Sequence, residues 1–191
     1  KKEIAISYLE NHIVVNNCDL IICDRLLIYY QENNNLDGMV SLLKKIYKKV
    51  ALNKGNKSLD KIINIIVDIL KIKDLNNAIE FLEDNKIYDT RILSLYHQTK
   101  QYKKALQLTR TLYSKTKDVN FLAQLTILEY ESSTNKEDIL DKVISNFDIV
   151  LKSIDNHFYQ NYLGYLLIDY NLNVEKGLML IKKALKKEAT N

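Results

Sequence analysis

Apolar residues recur along this chain every three or four positions, in stretches separated by short polar breaks, which is the period of amphipathic helices rather than strands. The period is present at once in Ile4, Ile6, Leu9 and Ile13, and it returns after each break. The stretch from Leu59 to Ile72 is apolar on nearly every side, the pattern of a helix sandwiched between neighbours. Short polar connections make consecutive helices antiparallel. Five helix pairs are predicted at about 19–53, 58–86, 88–117, 119–153 and 157–188, after an unpaired helix at about 3–16. Two local signals mark helix starts. Ser58, just after Gly55-Asn56-Lys57, reads as an N-cap, and Thr134-Asn135-Lys136-Glu137 reads as a capping box ahead of the apolar run from Ile139.

A shorter motif recurs inside these pairs: a polar break, an aromatic or aliphatic marker, and within three residues a small side chain. It is clearest in Leu75-Asn76-Asn77-Ala78 and Tyr102-Lys103-Lys104-Ala105, and it returns in Leu36-Asp37-Gly38 and Val174-Glu175-Lys176-Gly177. Thr134 to Val143 fills the remaining slot without the small residue. Taking Leu36, Leu75, Tyr102, Glu137 and Val174 as markers, the steps are 39, 27, 35 and 37 residues. Their mean of about 35 is the period of a helix-turn-helix unit in an α-solenoid. The small residue marks where the second helix of a pair crosses close to the first, and the marker before it is expected to plug the end of the pair beside the turn. The predicted fold class is all-α, a solenoid of about five antiparallel pairs forming one array over residues 1–191.

The last unit carries the most particular pattern. Its first helix holds Asn161-Tyr162-Leu163-Gly164-Tyr165 with Ile168-Asp169 after it, and its second holds Gly177-Leu178-Met179-Leu180-Ile181 closing on Ala184. This unit resembles a tetratricopeptide repeat (TPR), and in particular units of bacterial multi-repeat proteins of that family, several of them envelope lipoproteins. The chain departs from the family in lacking the proline that usually closes the second helix, and in its short third unit. The resemblance implies a right-handed superhelix whose first helices line a concave groove, a protein or peptide partner, and a bacterial cell-envelope or periplasmic setting, with the cytoplasm as the alternative. Both ends read as falling inside a longer array.

Aligning the units on Leu163-Gly164 places candidate groove residues at Asn161, Tyr165, Ile168 and Asp169 in the last. The fourth contributes Ala123, Ile127, Tyr130 and Glu131. The third contributes Thr90, Ser94, His97 and Gln98, and the first Asp24, Ile28, Gln31 and Glu32. The set is mixed polar and aromatic, and it lacks the ordered Lys/Asn clamp with which some family members hold a terminal carboxylate. Tyr130 and Tyr165 equally suit packing between neighbouring first helices, and His97 suits a solvated helix position.

Composition narrows the classes further. With 47% hydrophobic residues and four glycines, the chain is neither disordered nor collagen-like. No apolar run is long enough to span a membrane, since Asn64, Asp68 and Lys71 break the densest stretch. The net charge of +4 comes mostly from lysine, with three scattered arginines, which argues against sequence-specific nucleic-acid reading. Lys44, Lys45, Lys48, Lys49, Lys54 and Lys57 form an acid-free run, and Lys182, Lys183, Lys186 and Lys187 a second cluster. Both suit either solvated helix faces or a polyanion. Were Cys18 and Cys23 on one helix they would point about 140° apart, so no disulfide is expected and two free thiols leave the redox compartment open.

Chemistry is sparse. No glycine-rich phosphate loop or serine nucleophile elbow exists, and His12, His97 and His157 lack partners at metal-ligand spacing. The expectation is a non-enzymatic scaffold with no cofactor and no metal that holds a protein segment in its groove. The alternatives are polyanion binding through the lysines, or a spacer that self-associates through its ends.

Overall fold

The computed structural model describes residues 2–16, 20–51 and 58–188. The chain has no proline, so no helix is interrupted by a missing donor. The described residues form eleven α-helices: α1 Lys2–Asn16, α2 Leu20–Glu32, α3 Leu36–Ala51, α4 Ser58–Lys73, α5 Leu75–Asp84, α6 Thr90–Gln98, α7 Tyr102–Thr116, α8 Val119–Ser132, α9 Leu140–Ser153, α10 His157–Asp169 and α11 Val174–Glu188. The chain divides into two units, Lys1–Ile87 with α1 to α5 and Tyr88–Asn191 with α6 to α11. Within each, every helix packs against the one that follows it, the nearest-neighbour arrangement of an all-α solenoid.

Helix starts are written locally. Asp74, Asp89, Asp118 and Asn156 each accept a hydrogen bond from the backbone N–H two residues on, at 2.8–2.9 Å. Asn35 and Asn173 do the same for the N–H three residues on, at 2.9 Å. These Asx caps satisfy donors that the first turn leaves unpaired. Helix ends are built differently. At α2, α5, α6 and α10 the chain reverses through Asn34, Lys86, Lys100 and Asn171, all with φ between 51° and 58°. Behind each reversal lies a paired closure, as in Gln101 N–H to Tyr96 O at 2.8 Å with Lys100 N–H to His97 O at 3.1 Å. That is the Schellman pattern, whose left-handed position usually holds glycine.

The small residues lie where the pairs cross. Ala78 and Ala105 are wholly buried. In α10 and α11, a Cβ on Gly164 would stand 2.9 Å from the Gly177 carbonyl oxygen, and one on Gly177 would stand 2.8 Å from the Gly164 oxygen. The two backbones meet directly. The core of the second unit centres on the wholly buried Phe147, whose ring lies 5.4 Å from that of Tyr162 and 6.2 Å from that of Tyr159. Away from it, Glu129 of α8 binds Arg110 of α7 at 2.8 Å and Lys142 of α9 at 2.6 Å. Burial alone would raise the Glu129 carboxyl, but these two cations outweigh it and hold the group below its ordinary range.

Four local expectations are corrected. The segment Thr134–Lys136 does not cap an α-helix; a 3-10 turn at Glu137–Ile139 intervenes and α9 begins at Leu140. Ser133 Oγ donates to Asn135 O at 2.7 Å, and Ile139 sits at φ −111°, ψ 0°, which separates the turn from the helix. The helix from Leu59 to Ile72 is one-sided: Ile63, Ile66, Val67, Ile69 and Leu70 are buried, while Ile65 and Ile72 face outward. The marker residues do not all plug a turn, since Tyr102 is 52% exposed and Val174 is exposed too. Finally, Cys23 is disulfide-bonded. The expected free thiol at Cys23 is thereby overturned. Cys18, Lys54 and Lys57, like the side chain of Ser58, lie outside the described residues.

One electrostatic clasp fastens α11. Asp155, in the connection before α10, receives Lys187, Lys183 at 3.1 Å and Gln160 Nε2 at 2.6 Å. Hydrogen bonds from Lys187 and then Lys183 hold its carboxyl down at about 2. The unfolded group titrates at about 3.9, so the clasp is fully formed above that pH and is lost as pH falls through 2. The melting midpoint of Asp155→Asn should be lower than wild type at pH 6, and the difference should close between pH 4 and 2. A constant difference across that window would remove the clasp as a stabilising contact.

Candidate functional site

Of the first helices of the second unit, α6 and α10 each bury one face and leave another open, while α8 is buried or half-buried from Phe121 to Tyr130 and is exposed at its ends. In α6, Ile92, Leu93, Leu95 and Tyr96 are buried, so Thr90, Ser94 and His97, spaced at i, i+4 and i+7, share the opposite side. In α10, burial of Tyr159, Leu163, Gly164, Leu166 and Leu167 turns Phe158, Tyr165 and Asp169 outward.

Two cavities lie along this row. The first, of about 470 Å³, is lined by His97, Tyr102, Gln124, Ile127, Leu128, Glu131 and Ser132. The second, of about 260 Å³, is lined by Tyr130, Glu131, Phe158, Asn161, Tyr162, Tyr165, Leu166 and Asp169. Glu131 belongs to both, so the cavities are neighbours across α8. Neither lining contains a lysine or arginine.

The polar atoms of the second cavity are held in place. Tyr162 donates its hydroxyl to Glu131 Oε1 at 2.8 Å, and Lys136 reaches Glu131 Oε2 at 3.4 Å while lying 4.6 Å from the Tyr130 ring centre. The Tyr130 and Tyr170 hydroxyls pair at 3.0 Å. Burial first, and then Glu131, push the Tyr162 hydroxyl well above its ordinary value, so it stays protonated and keeps donating. Burial pushes the His97 imidazole below its ordinary value, which favours its neutral form.

The candidates from the sequence divide in two. His97, Tyr130, Asn161, Tyr165 and Asp169 line these cavities, as do Ile127 and Glu131. Tyr130 is only 5% exposed and serves as wall and core together, with its ring edge-on to Tyr162 at 6.3 Å. Thr90 and Ser94 are exposed on α6 outside the linings, and Ser94 Oγ accepts from Gln98 Nε2 at 3.1 Å. Ala123 is wholly buried and cannot face a groove. In the first unit, Asp24, Ile28 and Gln31 are exposed on α2. The cavity of that unit instead involves Glu10, Leu26, Tyr30, Gly38 and Ser41, with Tyr30 donating to Glu10. Sequence reading missed Tyr102, Gln124, Leu128 and Ser132 in the first cavity and Phe158, Tyr162 and Leu166 in the second.

The lysine clusters are partly engaged within the protein. Lys44 lies 5.5 Å from the Phe81 ring centre, and Lys183 and Lys187 hold Asp155. Among the described residues no group of three or more His, Cys, Asp or Glu could hold a metal ion, and no helix is long and apolar enough to cross a membrane.

No known protein family matches the sequence, and no curated protein matches it. Solved structures do. The chain is similar to YrrB, described as a TPR protein with an unusual peptide-binding site, at 17% identity over 93% of this chain and 91% of that one, with a TM-score of 0.55. It is similar to MamA at 18% identity over 91% of this chain and 96% of that one, with a TM-score of 0.54. A second MamA structure gives 17% identity, 88% and 91% coverage, and a TM-score of 0.56. The fold is therefore that of a tetratricopeptide-repeat protein.

Proposed function

We propose that this chain is a non-enzymatic interaction scaffold that holds an extended segment of another protein along α6, α8 and α10. The observation that carries the reading is the pair of cavities meeting at Glu131, on helices whose opposite faces are packed into the core. The walls are fixed by burial and hydrogen bonds before any ligand arrives, so a bound segment is ordered without ordering the protein as well. The larger cavity, with Ile127 and Leu128 in its lining, suits an apolar side chain. YrrB, of the same fold and described as having a peptide-binding site, supports a peptide as the kind of ligand.

The test is selection of binders to the whole chain from a display library of random peptides about 12 residues long, a length matched to a groove rather than a single pocket. Ile127→Asp puts a charge into the larger cavity and should weaken the selected peptides about tenfold or more, with helicity retained and the melting midpoint lowered, since Ile127 also packs against the core. Peptides that bind Ile127→Asp as well as wild type would refute the groove. Peptides lost instead with Lys44→Glu and Lys45→Glu, and displaced by moderate salt, would move recognition to the lysine face.

A further inference from the structure

The smaller cavity has a chemistry of its own. Its lining combines the rings of Phe158, Tyr162 and Tyr165 with the carboxylates of Glu131 and Asp169, and includes no basic side chain. This is notable in a protein of net charge +4. Phe158 is 55% exposed and Tyr165 54%, so their faces are open to a ligand. Tyr162 is fixed by its bond to Glu131, and the same contact orients the carboxylate. At about 260 Å³ the cavity is below the 300–1,000 Å³ typical of small-molecule sites, so it suits one side chain rather than a helix or a cofactor.

We propose that this cavity is a subsite for an arginine side chain of the bound segment. The inference rests on the groove reading above and names the chemistry of its partner. A guanidinium is planar, stacks on aromatic faces and forks onto a carboxylate, whereas an ammonium is a compact, strongly hydrated point charge. The protein already shows that a cation is accepted at the rim. Lys136 sits 4.6 Å from the Tyr130 ring centre and 3.4 Å from Glu131. That lysine competes for Glu131, and the arriving arginine meets Asp169, the exposed Tyr165 ring and the open side of Phe158, whose ring also packs on Tyr159 and Tyr162.

The peptides selected on the whole chain supply the probe. They should share an arginine at one register. Replacing it by citrulline, which keeps the shape and removes the charge, should weaken binding about tenfold, and replacing it by lysine should weaken it less. Asp169→Asn, at an exposed position, should cost a similar factor on the arginine peptide and little on the citrulline peptide, with melting unchanged. Lys136→Gln should tighten the arginine peptide about threefold by freeing Glu131, an effect opposite to that expected of a lysine with a merely structural role. Peptides that depend on Ile127 yet carry no shared arginine, or that bind Asp169→Asn as tightly as wild type, would overturn the subsite and leave the groove standing. If no selected peptide depends on Ile127, both readings fall together.

Discussion

Gly177→Ala should lower the melting midpoint by roughly 4–10 °C, although alanine is the better helix former. The added methyl would stand 2.8 Å from the Gly164 carbonyl oxygen and 2.7 Å from Ile168 Cγ1. The isoleucine can rotate away, but the oxygen belongs to the α10 backbone and moves only if the helices part. Gly164→Ala meets the same obstacle from the other side, 2.9 Å from the Gly177 oxygen. Each substitution should therefore cost about 1–3 kcal/mol. The double variant is the sharper measurement. Once one methyl has separated the helices the second finds room, so the pair should cost clearly less than the two singles added. Strict additivity, or a melting curve identical to wild type, would mean that α10 and α11 do not meet at these glycines.

Phe147→Ala should be more damaging, by about 3–5 kcal/mol, because a wholly buried ring is removed from between aromatic neighbours that cannot close the gap. Its effect reaches the groove, since Tyr162, which lines the smaller cavity, rests against Phe147. Phe147→Leu keeps most of the volume and should preserve the fold while loosening Tyr162. Groove peptides should then bind more weakly even though Phe147 lines neither cavity. A Phe147→Ala protein that melts within 1 kcal/mol of wild type would sink this account of the core.

Much of the fold was legible because its determinants are periodic and local. The small residues Ala78, Ala105 and Gly177 stand at the same offset from their markers, and each is buried where helices of a pair cross. The better start signals went unread. Asp74, Asp89, Asp118 and Asn156 cap their helices, whereas the Thr134 motif, which matches the rule on paper, is followed by a 3-10 turn. Lys136 explains part of that difference: its side chain is directed to Tyr130 and Glu131, contacts that no local pattern encodes.

The groove was readable only where one helix determines the face. Tyr165 and Asp169 follow from the burial of Leu163-Gly164 on their own helix. Tyr130 and Ala123 depend on a neighbour. Tyr130 reaches across to Tyr170 forty residues away, and Ala123 is covered although its register matches the exposed positions of other units. Tyr102 was found as a repeat marker but assigned to a turn, because nothing in its spacing shows a cavity opening beside it. The expectation of two free thiols rested on a common helix for the two cysteines, and the disulfide at Cys23 overturns that expectation.

The non-glycine reversals have one more consequence. Lys86 and Lys100 hold a conformation that costs an L-residue roughly 1–2 kcal/mol, and lysine in isolation would rather extend the helix. The helix before Lys100, α6, therefore begins at its own Asp89 cap and stops where α7 is already docked against it. A fragment cut just after Lys100 loses that brake, and its last turn is free to wind onward or fray. Anyone dissecting this chain into shorter pieces should open each piece at a capping residue such as Asp89, Asp118 or Asn156, and carry it through a complete pair, so that every stop keeps the neighbour that enforces it.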